Sequence, residues 1–199
     1  LPLWKEPDRH QQRLQALIRR RSDLIALKVA EQNRAKAPGA KELASSFKAI
    51  LAVIKRQIEA LDAAIAKLAA QSPALVQRIA VCTTMSGIGQ RTATALLAVM
   101  PELGSLTRRR TAALGGLAPH PNDSGLMKGY RKMRGGRPEV ATILFMPALR
   151  AAAGKGEFAA FYKRLLANGK KPILAIAAVM RKILVTLNAK LRDNIKHQS

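Results

Sequence analysis

Two stretches of the 199-residue chain hold side chains whose type and spacing suit work on a phosphate. The first is Ser86-Gly87-Ile88-Gly89-Gln90-Arg91, a tight turn between two helical patterns. Glycines at 87 and 89 admit backbone geometry that a Cβ obstructs. Such a turn presents amides to an anion, the helix after it presents its N-terminus, and Arg91 adds a cation in that helix's first turn. The second stretch runs from Arg108 to Arg137. Its basic residues are Arg108, Arg109, Arg110, Lys128, Arg131, Lys132, Arg134 and Arg137; its single acid is Asp123 and its single aromatic Tyr130, a net +7. Inside it lies Pro119-His120-Pro121-Asn122-Asp123-Ser124-Gly125, made mostly of turn formers. A serine before a glycine is a weak nucleophile signal by itself, because a hydroxyl at neutral pH needs a base or a metal to attack. Charges on a Gly-containing loop suit wrapping around a phosphate backbone; a solvated basic face is the plainer reading.

The whole-chain charge favours the phosphate reading. With 35 Lys plus Arg against 12 Asp plus Glu, the formal net charge is +23. A chain so basic repels itself unless a polyanion neutralises it, which puts nucleic acid first among partners and an anionic membrane surface second. One cysteine, Cys82, excludes an internal disulfide framework and a multi-Cys zinc site. Cys82 falls on the apolar side of its helix and reads as a small core residue. His10, His120 and His197 are scattered, so no metal site is expected within the chain. The most apolar stretch, Pro172 to Leu187, is interrupted by Arg181 and Lys182 and reads as too short to span a bilayer. The first residues, Leu1-Pro2-Leu3-Trp4-Lys5-Glu6, lack an initiator Met and the regions of a signal peptide, so the chain is expected to be part of a longer, cytoplasmic, nucleoid-associated product without a membrane partner.

The elements that must position these residues read as helices. Aromatics are 4% and period-2 alternation is lacking, so the expected fold is all-α. Asp8 is an N-cap before a helix over 9–36, with Leu14, Leu17, Leu24 and Leu27 on one side; Ala37-Pro38-Gly39 ends it. A second helix over 41–70 places Phe47, Leu51, Ile54, Ile58, Leu61, Ile65 and Leu68 at alternating spacings of four and three, a coiled-coil seam. The two helices read as an antiparallel two-helix coiled-coil arm, residues 1–72, packing on itself or on a second copy; self-association is the favoured use. Gln71-Ser72-Pro73 marks a boundary. Residues 73–199 read as a compact helical domain, with helices near 74–83, 90–100, 109–114, 138–153, 158–167 and 172–192 and a loop over 115–136 of a length that is usually functional or disordered. The turn at 86–89 looks like a helix-hairpin-helix element, which grips a backbone without reading sequence; a helix corner used only for packing has the same letters.

Taken together, these segments follow a known order. Ser86-Gly87-Ile88-Gly89 precedes Leu117-Ala118-Pro119, then Asp123-Ser124-Gly125 and Met133-Arg134-Gly135-Gly136-Arg137. Ile143 to Ala152, Phe161-Tyr162-Lys163-Arg164-Leu165, Asn168-Gly169-Lys170-Lys171-Pro172 and Val179-Met180-Arg181-Lys182-Ile183-Leu184 complete the series. In this order the chain resembles the C-terminal transposase domain of the IS-one-ten family of insertion-sequence transposases, the bridge-RNA-guided DNA recombinases related to Piv-type invertases. The basic hairpin before it resembles the family's coiled-coil linker. Gly115-Gly116 departs from the family pattern, where Ala and an aromatic are common, and is expected to loosen the short helix before the loop.

The resemblance implies a function. Ser124 corresponds to the serine nucleophile that attacks a DNA phosphodiester and forms a covalent phosphoserine link before religation. The implied site is composite: a RuvC-like domain holds Mg²⁺ on four carboxylates and belongs to another subunit of a tetramer. That domain is not among these 199 residues, so the chain by itself is expected to be incomplete and inactive. Implied partners are DNA, a structured guide RNA and further copies of the protein. Two other readings stand beside this one: a non-enzymatic DNA- or RNA-binding module, and a helical oligomerisation module with incidental charge.

Overall fold

A computed structural model describes residues 8–120, 132–133 and 135–196, with the backbone alone at Lys132 and Lys196. The chain divides into two compact units, Leu1–Pro73 and Ala74–Ser199. Among the described residues the fold is all-α, with a single two-residue strand pair.

The first unit is a helical hairpin. Helix α1, Arg9–Arg34, starts where the Asp8 carboxylate accepts the Gln11 N–H at 2.7 Å, a cap that stabilises a helix by about 1 kcal/mol. A 3-10 turn, Ala40–Leu43, leads into α2, Ala44–Ala70. The helices run antiparallel. His10 Nε2 lies 2.8 Å from the Leu68 carbonyl, and Arg21 Nε donates to Asp62 Oδ1 at 2.6 Å. Of the seam on α2, Phe47, Leu51, Ile54, Ile58, Leu61, Ile65 and Leu68 are all buried or half-buried, and α2 packs along α1. The seam expected to serve self-association is therefore occupied within the chain. On α1 the inward face is Leu14, Leu17, Ile18, Arg21 and Leu24. Leu27, expected on that face, is 44% exposed. A 3.5-residue seam passes from Leu24 to the half-buried Lys28, which turns Leu27 onto the flank.

In the second unit, α3 (Pro73–Thr83) and α4 (Gln90–Val99) flank the Gly87 turn. A connector leads to α5 (Arg108–Leu114), and α6 (Pro138–Ala153), α7 (Glu157–Ala167) and α8 (Pro172–Lys196) complete the unit. Helix α8 is the centre, packed by α5, α6 and α7. Val179, Ile183, Leu184, Leu187 and Leu191 are essentially inaccessible, each stabilising the fold by roughly 1.5–3 kcal/mol. The expectation that this stretch is too short for a membrane does not hold on length. By length and composition alone Pro172–Ile195 could cross one, because the apolar periodicity continues past Leu187. Its apolar residues from Ala175 to Leu191 that face inward form the core against which the other helices pack, while Ile173 and Ile195 are exposed.

Three long-range side chains pin the connector between α4 and α5. Arg78 of α3 donates to the Pro101 and Leu103 carbonyls at 2.8 and 2.7 Å. The buried Asn188 of α8 accepts the Gly104 N–H at 2.8 Å and donates to the Leu106 carbonyl at 2.8 Å. Arg137, at the start of α6, donates to the Val99 carbonyl at 2.6 Å and grips Glu102 with both terminal nitrogens, at 2.8 and 2.7 Å.

Candidate nucleic-acid interface

The long loop has a fixed base. Strands β1 (Pro119–His120) and β2 (Lys132–Met133) pair antiparallel, Pro119 with Met133 and His120 with Lys132. Outside this pair the two ends are drawn together backbone to backbone. The Arg137 N–H donates to the Leu114 carbonyl at 2.8 Å. Gly136 has φ +67°, and a Cβ there would lie 2.4 Å from the Gly116 nitrogen and 2.5 Å from the Ala113 oxygen. That approach is open only to glycine. Gly115, expected to loosen α5, serves as its C-cap, where a Cβ would meet Leu184 Cδ2 at 2.4 Å. The adjoining Leu117 is 1% exposed and anchors the same end. The glycines at 115 and 116 thus tighten the packing around the loop.

Ser124, Lys128 and Arg131 lie between the two paired strands in sequence, outside the described residues, and Arg134, which follows β2, is also outside them. Lys132 is placed by its backbone in β2. Arg108, Arg109 and Arg110 form the first turn of α5 and are exposed, with Thr107 as N-cap accepting the Arg110 N–H. Cations there oppose both one another and the positive end of the helix dipole, each by roughly 0.3–1 kcal/mol. Nothing in the folding of α5 calls for them.

Arg137 stands apart from the other cations of this stretch. Its fork is committed to Glu102 and to the Val99 carbonyl, so it positions the end of the loop. Hydrogen bonding to Glu102 raises its already high pKa against the effect of burial. Burial pushes the Glu102 carboxyl upward, but the Arg137 hydrogen bonds and the charges of Arg137 and Arg78 outweigh it and hold the group below its ordinary range.

At the other motif, Met85 and Ile88 are buried while Ser86, Gly87, Gly89 and Arg91 are exposed. Gly87 takes φ +89°, which requires glycine; Gly89, at φ −83°, is the N-cap of α4 in an ordinary conformation and does not. The turn lines a cleft of about 650 Å³ together with Arg150, Lys155, Glu157, Phe158 and Lys190. Of the described residues between 108 and 137, Arg108, Arg109, Arg110 and Arg137 do not line this cleft. Cys82 is buried and its thiol is pushed up to about 11 by burial, against the lowering effect of Arg78, which makes it inert at neutral pH. Among the described residues no three His, Cys, Asp or Glu side chains come together, so they do not fit a Mg²⁺ site.

Sequence reasoning missed Arg78, Asn188 and the cations of the cleft. Arg78 and Asn188 did leave a signal, each being a lone polar residue on an apolar helical stripe. The cleft left none, because its cations come from distant parts of the chain.

Comparison with known proteins extends across both units. The transposase IS116/IS110/IS902 family matches residues 80–163. The pilin gene-inverting protein of Moraxella lacunata is 30% identical over 97% of this chain and 61% of its own length. That of Moraxella bovis is 29% identical over the same shares. The insertion element IS110 43.6 kDa protein of Streptomyces coelicolor is 30% identical over 77% of this chain and 38% of its own. The chain thus spans about three fifths of the length of the pilin gene-inverting proteins. The matched segment, residues 80–163, runs from α3 through the loop to α7 and is similar to the transposase IS116/IS110/IS902 family, and the similarity to the pilin gene-inverting proteins extends across both units.

Proposed function

We propose that this chain is the nucleophile-bearing part of a DNA strand-exchange enzyme, with Ser124 as the attacking residue. The Ser124 hydroxyl loses its proton as Oγ bonds to phosphorus. The phosphorus–oxygen bond to one sugar breaks, releasing that sugar's hydroxyl and leaving the other strand end on the serine. Religation reverses the step with a hydroxyl from the partner strand. The observation that supports this most is the build of the loop. The serine-bearing segment is bracketed by β1 and β2 and follows a helix whose first turn holds three exposed arginines. Arg108, Arg109 and Arg110, with Lys128, Arg131, Lys132 and Arg134, neutralise phosphates and position the strand. Gly87, Gly89 and Arg91 add a backbone contact of the helix-hairpin-helix kind, and Arg137 holds the end of the loop.

The carboxylates that bind Mg²⁺ belong, on this proposal, to another domain, and the assembly includes a structured guide RNA and several copies of the protein in the cytoplasm. The test joins this chain to a carboxylate-bearing domain of a longer relative and supplies Mg²⁺, guide RNA and labelled DNA. A denaturant-resistant protein–DNA adduct is expected, lost in Ser124→Ala while binding persists. An adduct that survives Ser124→Ala assigns the attack to another residue. Retention of nucleic acid with no adduct under any condition favours the binding-module alternative.

A further inference from the structure

The cleft beside the Gly87 turn is built from parts of the chain far apart in sequence. Met85, Ser86 and Gly87 form one wall, Arg150 and Ala151 of α6 and the Gly154–Gly156 loop another, and Thr186 and Lys190 of α8 a third. Three cations converge here: Arg150, Lys155 and Lys190, all exposed. Lys190 is steadied by the Thr84 hydroxyl at 3.2 Å. The one lining acid, Glu157, is already paired with Lys182 at 3.2 Å, and Lys182 also lies over the Phe158 ring. Among the described residues neither Arg150 nor Lys155 has an acidic partner. Three like charges around a concave surface repel one another, and an anion removes the repulsion. Met85, Ala151 and Phe158 give the cleft an apolar lining, and its volume falls in the range that takes a drug-sized molecule, far more than a lone inorganic ion needs.

We propose that this cleft seats a nucleic-acid phosphodiester, with its sugar against the apolar lining, as a second contact separate from the Ser124 loop. The proposal rests on the nucleic-acid reading above and adds Arg150, Lys155 and Lys190 to it. Duplex DNA and structured RNA share this chemistry, so the experiment uses both.

A labelled 20-base-pair duplex and a labelled RNA hairpin are titrated with the chain across a salt series. The variant is Arg150→Gln/Lys155→Gln/Lys190→Gln. A control, Lys163→Gln/Lys170→Gln/Lys171→Gln, removes the same charge from exposed positions outside the cleft. For every phosphate that the variant no longer neutralises, the slope of log K against log salt should flatten by about 0.9 on duplex DNA. The cleft variant should flatten it by about 1–2 and weaken binding roughly tenfold for one probe, which identifies the source, while the control changes it far less. Ala151→Glu, which puts a carboxylate into the cleft, should reproduce the loss with helicity intact. An equal effect of cleft and control variants, or an unchanged slope in the cleft variant, overturns the site and leaves the wider reading standing. Wild-type chain that retains neither probe at low salt overturns the wider reading itself.

Discussion

Gly135 and Gly136 offer a paired experiment on what holds the base of the loop. Both have positive φ, +77° and +67°, so alanine at either position meets the left-handed penalty of roughly 1–2 kcal/mol. They differ in the space beside them. A Cβ at Gly135 has nothing within 4 Å, whereas at Gly136 it lies 2.4 Å from the Gly116 nitrogen, 2.5 Å from the Ala113 oxygen and 2.6 Å from the Leu114 oxygen. All three atoms are backbone and cannot rotate away. Overpacking of this kind costs about a further 1–3 kcal/mol. For a helical unit of this size each kcal/mol moves the midpoint by roughly 3–5 °C. Gly135→Ala should therefore lower the melting temperature by about 5 °C and Gly136→Ala by at least about twice that, followed by circular dichroism. Equal shifts in the two variants would refute the claim that close backbone approach, rather than conformational strain alone, ties the loop ends together.

Two other outcomes follow from the fold. Ile54→Lys with Leu61→Lys puts ammonium groups into a seam occupied by α1, so helicity should fall; a mass change by light scattering with helicity intact would return the seam to self-association. The Glu102 carboxyl is held low in the folded chain, so its contribution is present above the ordinary value of 4.5 and is lost as pH falls through the folded value. Glu102→Gln should destabilise by about 1 kcal/mol at pH 7, near the upper end for a partly exposed bidentate pair, and the gap to wild type should close in acid denaturation below pH 4.5; a gap that widens there contradicts the pairing.

Much of the fold was legible because helices carry their own punctuation. Asp8, Pro38-Gly39, Pro73 and Pro138 mark starts and stops, and the seam of α2 shows its 3.5-residue period in the letters alone. Leu27 falls off the expected face because periodicity locates a stripe and leaves its edges open by one residue. The strand pair was invisible, since two residues a side are too few to alternate. The candidate site was legible only in part. The sequence groups Arg137 with seven other cations; that this one finds Glu102 depends on a contact 35 residues away. The cleft is harder still, because Ser86, Arg150, Lys155 and Lys190 become neighbours only after α6 and α8 have packed.

The same contrast explains how a chain with a net charge of +23 folds with only 12 acids of its own. The loop ends are closed by Gly116 against Gly136, by the Arg137 amide on Leu114 and by the β1–β2 pair, contacts that are backbone to backbone and independent of side-chain charge. The connector before α5 is fixed by Arg78, Asn188 and Arg137, whose main partners are carbonyls and an amide, with Glu102 the one acid they need. The scaffold around the loop thus commits two cations, Arg78 and Arg137, to its own structure. Arg108, Arg109 and Arg110 are held at the surface against the helix dipole, where folding alone gives them no compensation. On the proposed function a phosphate backbone along α5 would supply that compensation, so adding duplex DNA should raise the melting temperature of this unit increasingly as its concentration passes the dissociation constant, and an unchanged melting temperature would count against that placement.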